Sequence, residues 1–152
     1  MLRSEEILKE KHVPYKVIHL AGKSISVNDV VRNSNGNVNP DEICKTIIVE
    51  DNNGNGYAFF IEGDKKIDFS KAKKIVGRKL RIMNSERLLE LTGTEPGAVC
   101  PFLLDMPLFV DKAIFGKENI HFGSGDHLVG LEIKPDDLNK LVEFEIVDVV
   151  KE

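Results

Sequence analysis

The stretch ICKTIIVEDNNGNGYAFFIE, Ile43 to Glu62, decides the fold. Two runs rich in β-branched and aromatic residues, Ile43 to Glu50 and Tyr57 to Glu62, flank DNNGNG, which is too polar and glycine-rich to continue either of them. Together they predict a β-hairpin with a loop longer than two residues. The period of two puts Lys45 on one face with Ile43, Ile47 and Val49, and Cys44, Thr46 and Ile48 on the other. Both faces are largely apolar, so Lys45 leaves a strand whose neighbours are buried. Its stem can pack while the ammonium reaches water, or the ammonium can stand at a pocket wall and meet a phosphate or a carbonyl. The residues alone leave both readings open.

Upstream of the hairpin, Ser4 opens a helix through Lys11, with Glu5 and Glu6 in its first turn, and Tyr15 to Leu20 reads as a strand after Pro14. Ser26 and Asp29 form a capping box for a short helix through Arg32, and Asn39-Pro40 starts a helical turn. Downstream, a helix over Ser70 to Val76 stops at Gly77, and Lys79 to Met83 reads as a strand. A helix capped by Asn84 or Ser85 runs through Leu91 to a stop at Gly93. Strands follow at Leu108 to Val110, Ile120 to Phe122, Val129 to Ile133 and Phe144 to Val150, with a Pro135-initiated helix before the last. There is no internal repeat, so residues 1–152 read as one domain. The expected class is mixed α/β, with a curled, barrel-like mixed sheet flanked by helices rather than a doubly wound parallel sheet.

Composition narrows the function classes. Cys44 and Cys100 are the only cysteines, too few for a disulfide framework or a four-thiolate zinc site, which suits a reducing compartment. MLRSEEILKEK lacks the apolar centre of a signal peptide, and no run approaches the roughly 18 apolar residues of a membrane span. These features point to a soluble cytoplasmic protein without a membrane partner. The net charge of −4 argues against gripping nucleic acid by bulk charge. The charge is nevertheless uneven: Lys65, Lys66, Lys71, Lys73, Lys74, Arg78, Lys79 and Arg81 share one stretch with Asp68 as its only acid, and an acidic tail from Asp136 onward balances them. Singly these are solvated side chains; as a group they could meet a phosphate backbone.

Two further segments carry candidate chemistry. LTGTEPGAVCPF, Leu91 to Phe102, holds two glycines, two prolines and only one charge, Glu95. Two prolines exclude a helix or a central strand, so this is an apolar, stiffened loop. GSG at Gly123 to Gly125 follows the apolar strand Ile120 to Phe122, and such a turn can aim backbone N–H groups at an anionic oxygen or simply reverse the chain. Cys100, between Val99 and Pro101, reads as a small buried apolar residue rather than a nucleophile. His121 and His127 flank the turn without enough neighbouring ligands for a metal site, and neither a GxSxG elbow nor an HExxH motif occurs.

In order along the chain, CKTIIV, TGTEPGAVCPF and FGSGDHLVGLEI resemble the YbaK/ProX family of aminoacyl-tRNA deacylases, which includes the editing domain of bacterial prolyl-tRNA synthetases. The resemblance runs from the first helix to near Leu141, with Gly93 to Gly97 its most specific piece. It implies cleavage of the ester of mischarged tRNA, in a pocket for the aminoacyl group on the 3′-terminal adenosine, with small groups such as alanyl or cysteinyl on tRNA(Pro) as substrates; the alternatives are a noncatalytic tRNA- or synthetase-binding module, or a small-molecule hydrolase or ligand-binding protein that uses the same pocket. No cofactor or metal is implied. The implied catalytic set is Lys45, Gly97 and Ser124; His19, Thr46, Gly93, Thr94, Glu95, Pro96, Gly123, Gly125 and Glu132 would bind substrate. An aminoacyl ester is already activated, so positioning and oxyanion stabilisation suffice and no protein nucleophile is needed. Backbone N–H groups of the Gly93 to Gly97 loop and of the glycine turn would supply that stabilisation. Asp126, His127, Leu128 and Val129 stand where many relatives carry a basic pair, so a partner synthetase would help to deliver the tRNA.

Overall fold

The computed structural model describes Met1 to Glu152. The expected hairpin is its centre: β2 (Cys44–Glu50) and β3 (Gly56–Glu62) pair antiparallel from Cys44 opposite Glu62 to Glu50 opposite Gly56. The Asp51 carboxylate closes the turn by accepting the N–H groups of Asn53 and Asn55 at 2.8 and 3.0 Å, and Gly54 takes the left-handed φ of 82° that the turn requires.

The other strands are β1 (Lys16–His19), β4 (Arg81–Ile82), β5 (Leu108–Asp111), β6 (Ile120–Gly123), β7 (Val129–Ile133) and β8 (Glu145–Val147). They form two sheets, β1-β7-β6 and β4-β2-β3-β5-β8, the second with parallel pairs at β3·β5 and β5·β8. The chain is thus mixed α/β, as expected, but the sheet does not close. A single parallel bridge, Ile43 to His121, links the two layers. Between them lies the main core, where Phe122 meets Phe60 and Phe102 edge-on at 5.8 and 5.9 Å. Each such fully buried aromatic contributes roughly 1.5–3 kcal/mol.

The helices are α1 (Arg3–Glu10), α2 (Val27–Asn33), α3 (Phe69–Val76) and α4 (Ser85–Thr92). Helix α3 covers a second apolar cluster around Phe59 and Phe109, and α2 covers a third containing Ile18, Val30 and Ile43. The Ser26–Asp29 capping box forms as read, Asn84 caps α4, and Gly77 and Gly93 end their helices in the left-handed conformation.

Some boundaries differ from the sequence expectations. Ser4 does not cap α1; it lies inside the helix with its hydroxyl donated to the Ser124 carbonyl at 2.8 Å, a tertiary use that local pattern cannot show. The strand expected over Lys79 to Met83 is two residues long, because β2 offers only Val49 and Glu50 as partners. The strand expected over Phe144 to Val150 pairs with β5 only at Glu145–Val147, and Val149 turns into the cluster beneath α3. The segment after Pro135 is a 3-10 helix, Pro135–Lys140.

One irregularity along β2 positions the cleft. On the side away from β3, β2 is paired with β4 at Val49 and Glu50, and Ile48 accepts the Met83 N–H at 3.0 Å. At its other end Ile43 bridges His121. The Ile43 carbonyl points toward β3, where it accepts the Gly63 N–H, so strand alternation turns the Thr46 N–H and carbonyl the opposite way. No strand pairs there, and the gap in the sheet edge opens into a cleft.

Candidate active site

The cleft has a volume of about 150 Å³ and lies between the β2 edge, α2 with its preceding segment, the Pro96-Gly97 lip and the start of β7. That is well below the roughly 300–1,000 Å³ typical of drug-sized ligand pockets, so it suits a small group. Lys45 and Thr46 line it from β2, Gly123 from β6, and Ile82, Met83 and Leu88 close the far wall. The buried Glu50 carboxylate holds that wall by accepting from Arg81 at 3.2 Å and Arg87 at 3.1 Å, tying β4 and α4 to β2.

Lys45 is half-buried and has no carboxylate within 4 Å, so its ammonium is uncommitted. Burial lowers its pKa from the ordinary lysine value; Asp64 opposes that shift and Lys66 adds to it. Two buried side-chain polar atoms in the protein lack a hydrogen-bond partner, Thr46 Oγ1 and His121 Nδ1, and both residues line this cleft. Buried polar groups are ordinarily satisfied, so these two orphans make the cleft a place where a ligand or a water would supply the missing partners. Burial pushes the His121 pKa down to about 4, so its imidazole is neutral at pH 7. Its ring packs on Gly130, where any Cβ would overlap it.

The loop after α4 is stiff for a reason the sequence did not reveal. Gly97 has φ of 89° and lies directly against the Ser24 carbonyl. Glu95 accepts from Lys23 at 2.9 Å and contacts His127 at 3.2 Å, and Lys23 in particular lowers its pKa. On the inner side, a Cβ at Gly123 would come within 2.7 Å of the Ala98 and Val99 backbone. The loop is therefore clasped between the segment before α2 and the glycine turn.

Of the residues singled out from sequence, Lys45, Thr46, Pro96, Gly97 and Gly123 are brought together in the cleft. Gly93 and Thr94 belong to the helix stop, where Thr92 Oγ1 accepts the Thr94 N–H at 3.2 Å, and Glu95 is the tether just described. Ser124 is buried, and its hydroxyl donates to the Val129 carbonyl at 2.6 Å and accepts the Asp126 N–H at 3.2 Å. Gly125 donates its N–H to Ala98 at 2.7 Å, so that group, expected to face an oxyanion, is already used inside the protein. His19 is exposed on β1, outside the cleft. Glu132 faces Lys16 at 3.8 Å, and burial raises its pKa. Sequence reasoning missed Ser24, Ser26, His121 and His127 as lining residues. The two histidines flanking the glycine turn are the signal that the sequence offers for this part of the lining. No three His, Cys, Asp or Glu side chains gather in a metal-binding arrangement.

Residues 26–141 match the family model described as an aminoacyl-tRNA editing domain. An uncharacterized protein of Bacillus subtilis (strain 168), YwhH, is 31% identical over 93 residues, 59% of this chain and 59% of its own length. The proline–tRNA ligase of Persephonella marina is 27% identical over 136 residues, 87% of this chain but 23% of the ligase. The chain thus spans about three fifths and under a quarter of these two relatives. Among solved structures, hypothetical protein APE2540 superposes with a TM-score of 0.86 at 28% identity, covering 97% of this chain and 98% of the other. A protein described as a candidate trans-editing enzyme for prolyl tRNA synthetase superposes at 0.81 and 22% identity, over 100% and 99% of the two chains, which shows the shared fold.

Proposed function

Because this chain belongs to the aminoacyl-tRNA editing domain family, we propose that it is a trans-acting deacylase that hydrolyses the ester of mischarged tRNA, with residues 1–152 acting as one editing domain. The observation that carries the reading is the uncommitted Lys45 ammonium at the wall of a small cleft whose floor, at Thr46, is an unpaired strand edge. An ester carbonyl seated there meets a cation and the Thr46 N–H together. Both are in place before charge develops, the arrangement that most lowers the barrier to acyl transfer.

In this reading the aminoacyl group on the 3′-terminal adenosine enters the cleft, whose volume of about 150 Å³ suits a small group such as alanyl or cysteinyl. Water adds to the carbonyl carbon. Lys45 and the Thr46 N–H stabilise the resulting oxyanion, the bond to the ribose oxygen breaks, and that oxygen takes up the proton that water loses. Pro96 and Gly97 form the lip that excludes solvent. Ser124 acts indirectly, by holding the glycine turn against the loop. Cys100 takes no part, since burial raises its thiol pKa far above the ordinary value.

The test is deacylation of Ala-, Cys-, Ser- and Pro-tRNA(Pro), with and without a prolyl-tRNA synthetase, by wild type and by Lys45→Ala. Hydrolysis of the small species should fall about 100-fold or more in the variant. Equal rates would remove Lys45 from the mechanism. Binding without hydrolysis of any species would leave a recognition module instead of an enzyme.

A further inference from the structure

We propose that the lysine-rich face of α3, with the turns on either side of it, is the docking surface for the phosphate backbone of the RNA whose 3′ end enters the cleft; this rests on the deacylase reading for the identity of that RNA. Eight basic residues lie between Lys65 and Arg81. Three of them are committed: Lys71 to Asp148, Arg78 to Asp51 and Arg81 to Glu50. Lys65, Lys66, Lys73, Lys74 and Lys79 are exposed with no carboxylate within 4 Å. The one acid of the stretch, Asp68, is occupied in capping α3 through the Ser70 and Lys71 N–H groups. A solvated helix ordinarily interleaves opposite charges along its surface, and α3, FSKAKKIV, has no acid at all.

The chain enters this surface from the cleft and returns to the cleft after it. Gly63 lines the cleft just before the turn carrying Lys65 and Lys66, and Ile82 lines it just after Lys79 and Arg81. Lys66 is near enough for its charge to be felt at Lys45. The acidic C-terminal segment packs beside α3 but forms ion pairs with this surface only at Lys71, through Asp148 and Glu152, and leaves the other lysines without an acid partner. A nucleic-acid backbone needs only cations, whereas the centre of a protein interface needs apolar or aromatic anchors. The one large apolar side chain exposed beside these lysines, Ile82, belongs to the cleft wall, and none is exposed between Lys65 and Arg81, which favours RNA over an acidic protein.

The experiment titrates a fluorescent RNA hairpin, an acceptor-stem duplex ending in a single-stranded 3′ overhang, into wild type and a quadruple variant, Lys65→Gln, Lys73→Gln, Lys74→Gln and Lys79→Gln. All four side chains are exposed and unpaired, so an unchanged melting temperature certifies the fold. Four phosphate contacts account for about a 100-fold loss of affinity between about 50 and about 200 mM salt. The variant should therefore bind at least about tenfold more weakly at the lower salt, with a log–log salt slope reduced by about 3. It should also hydrolyse an aminoacylated 3′-terminal dinucleotide as wild type does, while KM for whole aminoacyl-tRNA rises. Equal affinity and slope in the two proteins, or salt-independent binding by wild type, overturns the proposal. Unchanged RNA affinity with loss of binding to a synthetase assigns the surface to a protein and overturns it as well. If no ester is hydrolysed by wild type yet the variant loses RNA binding, the docking surface stands without the deacylase. If whole tRNA is hydrolysed equally by both proteins, the deacylase stands without the docking surface.

Discussion

The Cα of Gly97 is seated on the carbonyl oxygen of Ser24, so that a side chain at Gly97 would overlap the chain entering α2. The close approach permitted by this glycine is between two parts of the protein that both line the cleft. Gly97→Ala meets that overlap and a φ of 89° together. It should cost about 1–3 kcal/mol in denaturant unfolding and raise KM for the aminoacyl-tRNA. Gly93→Ala has a φ of 73° but no neighbour within 4 Å, so it should cost only about 1–2 kcal/mol and leave KM unchanged. Equal effects of the two substitutions on KM would refute the clasp.

Gly130 and His121 form the inner counterpart of that contact. A methyl at Gly130 overlaps the imidazole ring of the buried His121, so the ring must shift to admit it. Gly130→Ala should destabilise the protein by about 1–3 kcal/mol as an overpacked site. The same change should shift the imidazole proton resonances of His121. Resonances left in place would show that the ring does not rest on the glycine.

The neutral state of His121 makes stability depend on pH in a defined window. Its folded pKa of about 4 lies below the unfolded value of about 6.5, so the unfolded chain binds the proton first. The contribution is complete above pH 6.5 and declines as pH falls toward 4, amounting to about 3 kcal/mol over the window. Melting curves of wild type should show this decline, and His121→Gln should flatten it. An identical pH profile in the variant would place the titrating group elsewhere.

Both thiols should be inert in the folded protein. Burial pushes Cys44 up to about 12 and Cys100 higher still, which leaves almost no thiolate at neutral pH. Neither should react with a water-soluble disulfide reagent until denaturant is added, and Cys100→Ser should retain deacylase activity. Rapid modification of the native protein would contradict the buried geometry.

The sequence by itself determined the parts whose signals are local. The β2–β3 hairpin was legible because alternation and turn chemistry act within about twenty residues, and the capping box at Ser26 and the stops at Gly77 and Gly93 were legible because caps act within one turn. Lys45 could be singled out because a cation amid apolar neighbours is anomalous wherever the strand lies. What only the tertiary structure decided were relations between segments far apart in the chain. Ser4 holds the Ser124 carbonyl across 120 residues, Gly97 yields space to Ser24, and Gly125 spends its N–H on Ala98. The cleft exists because β4 stops pairing at Val49 while β6 meets β2 only at Ile43, and where a neighbouring strand ends is set by packing rather than by the residues of β2. The orphaned atoms of Thr46 and His121 belong to the same class, since a missing partner becomes visible only when every other group has taken its place.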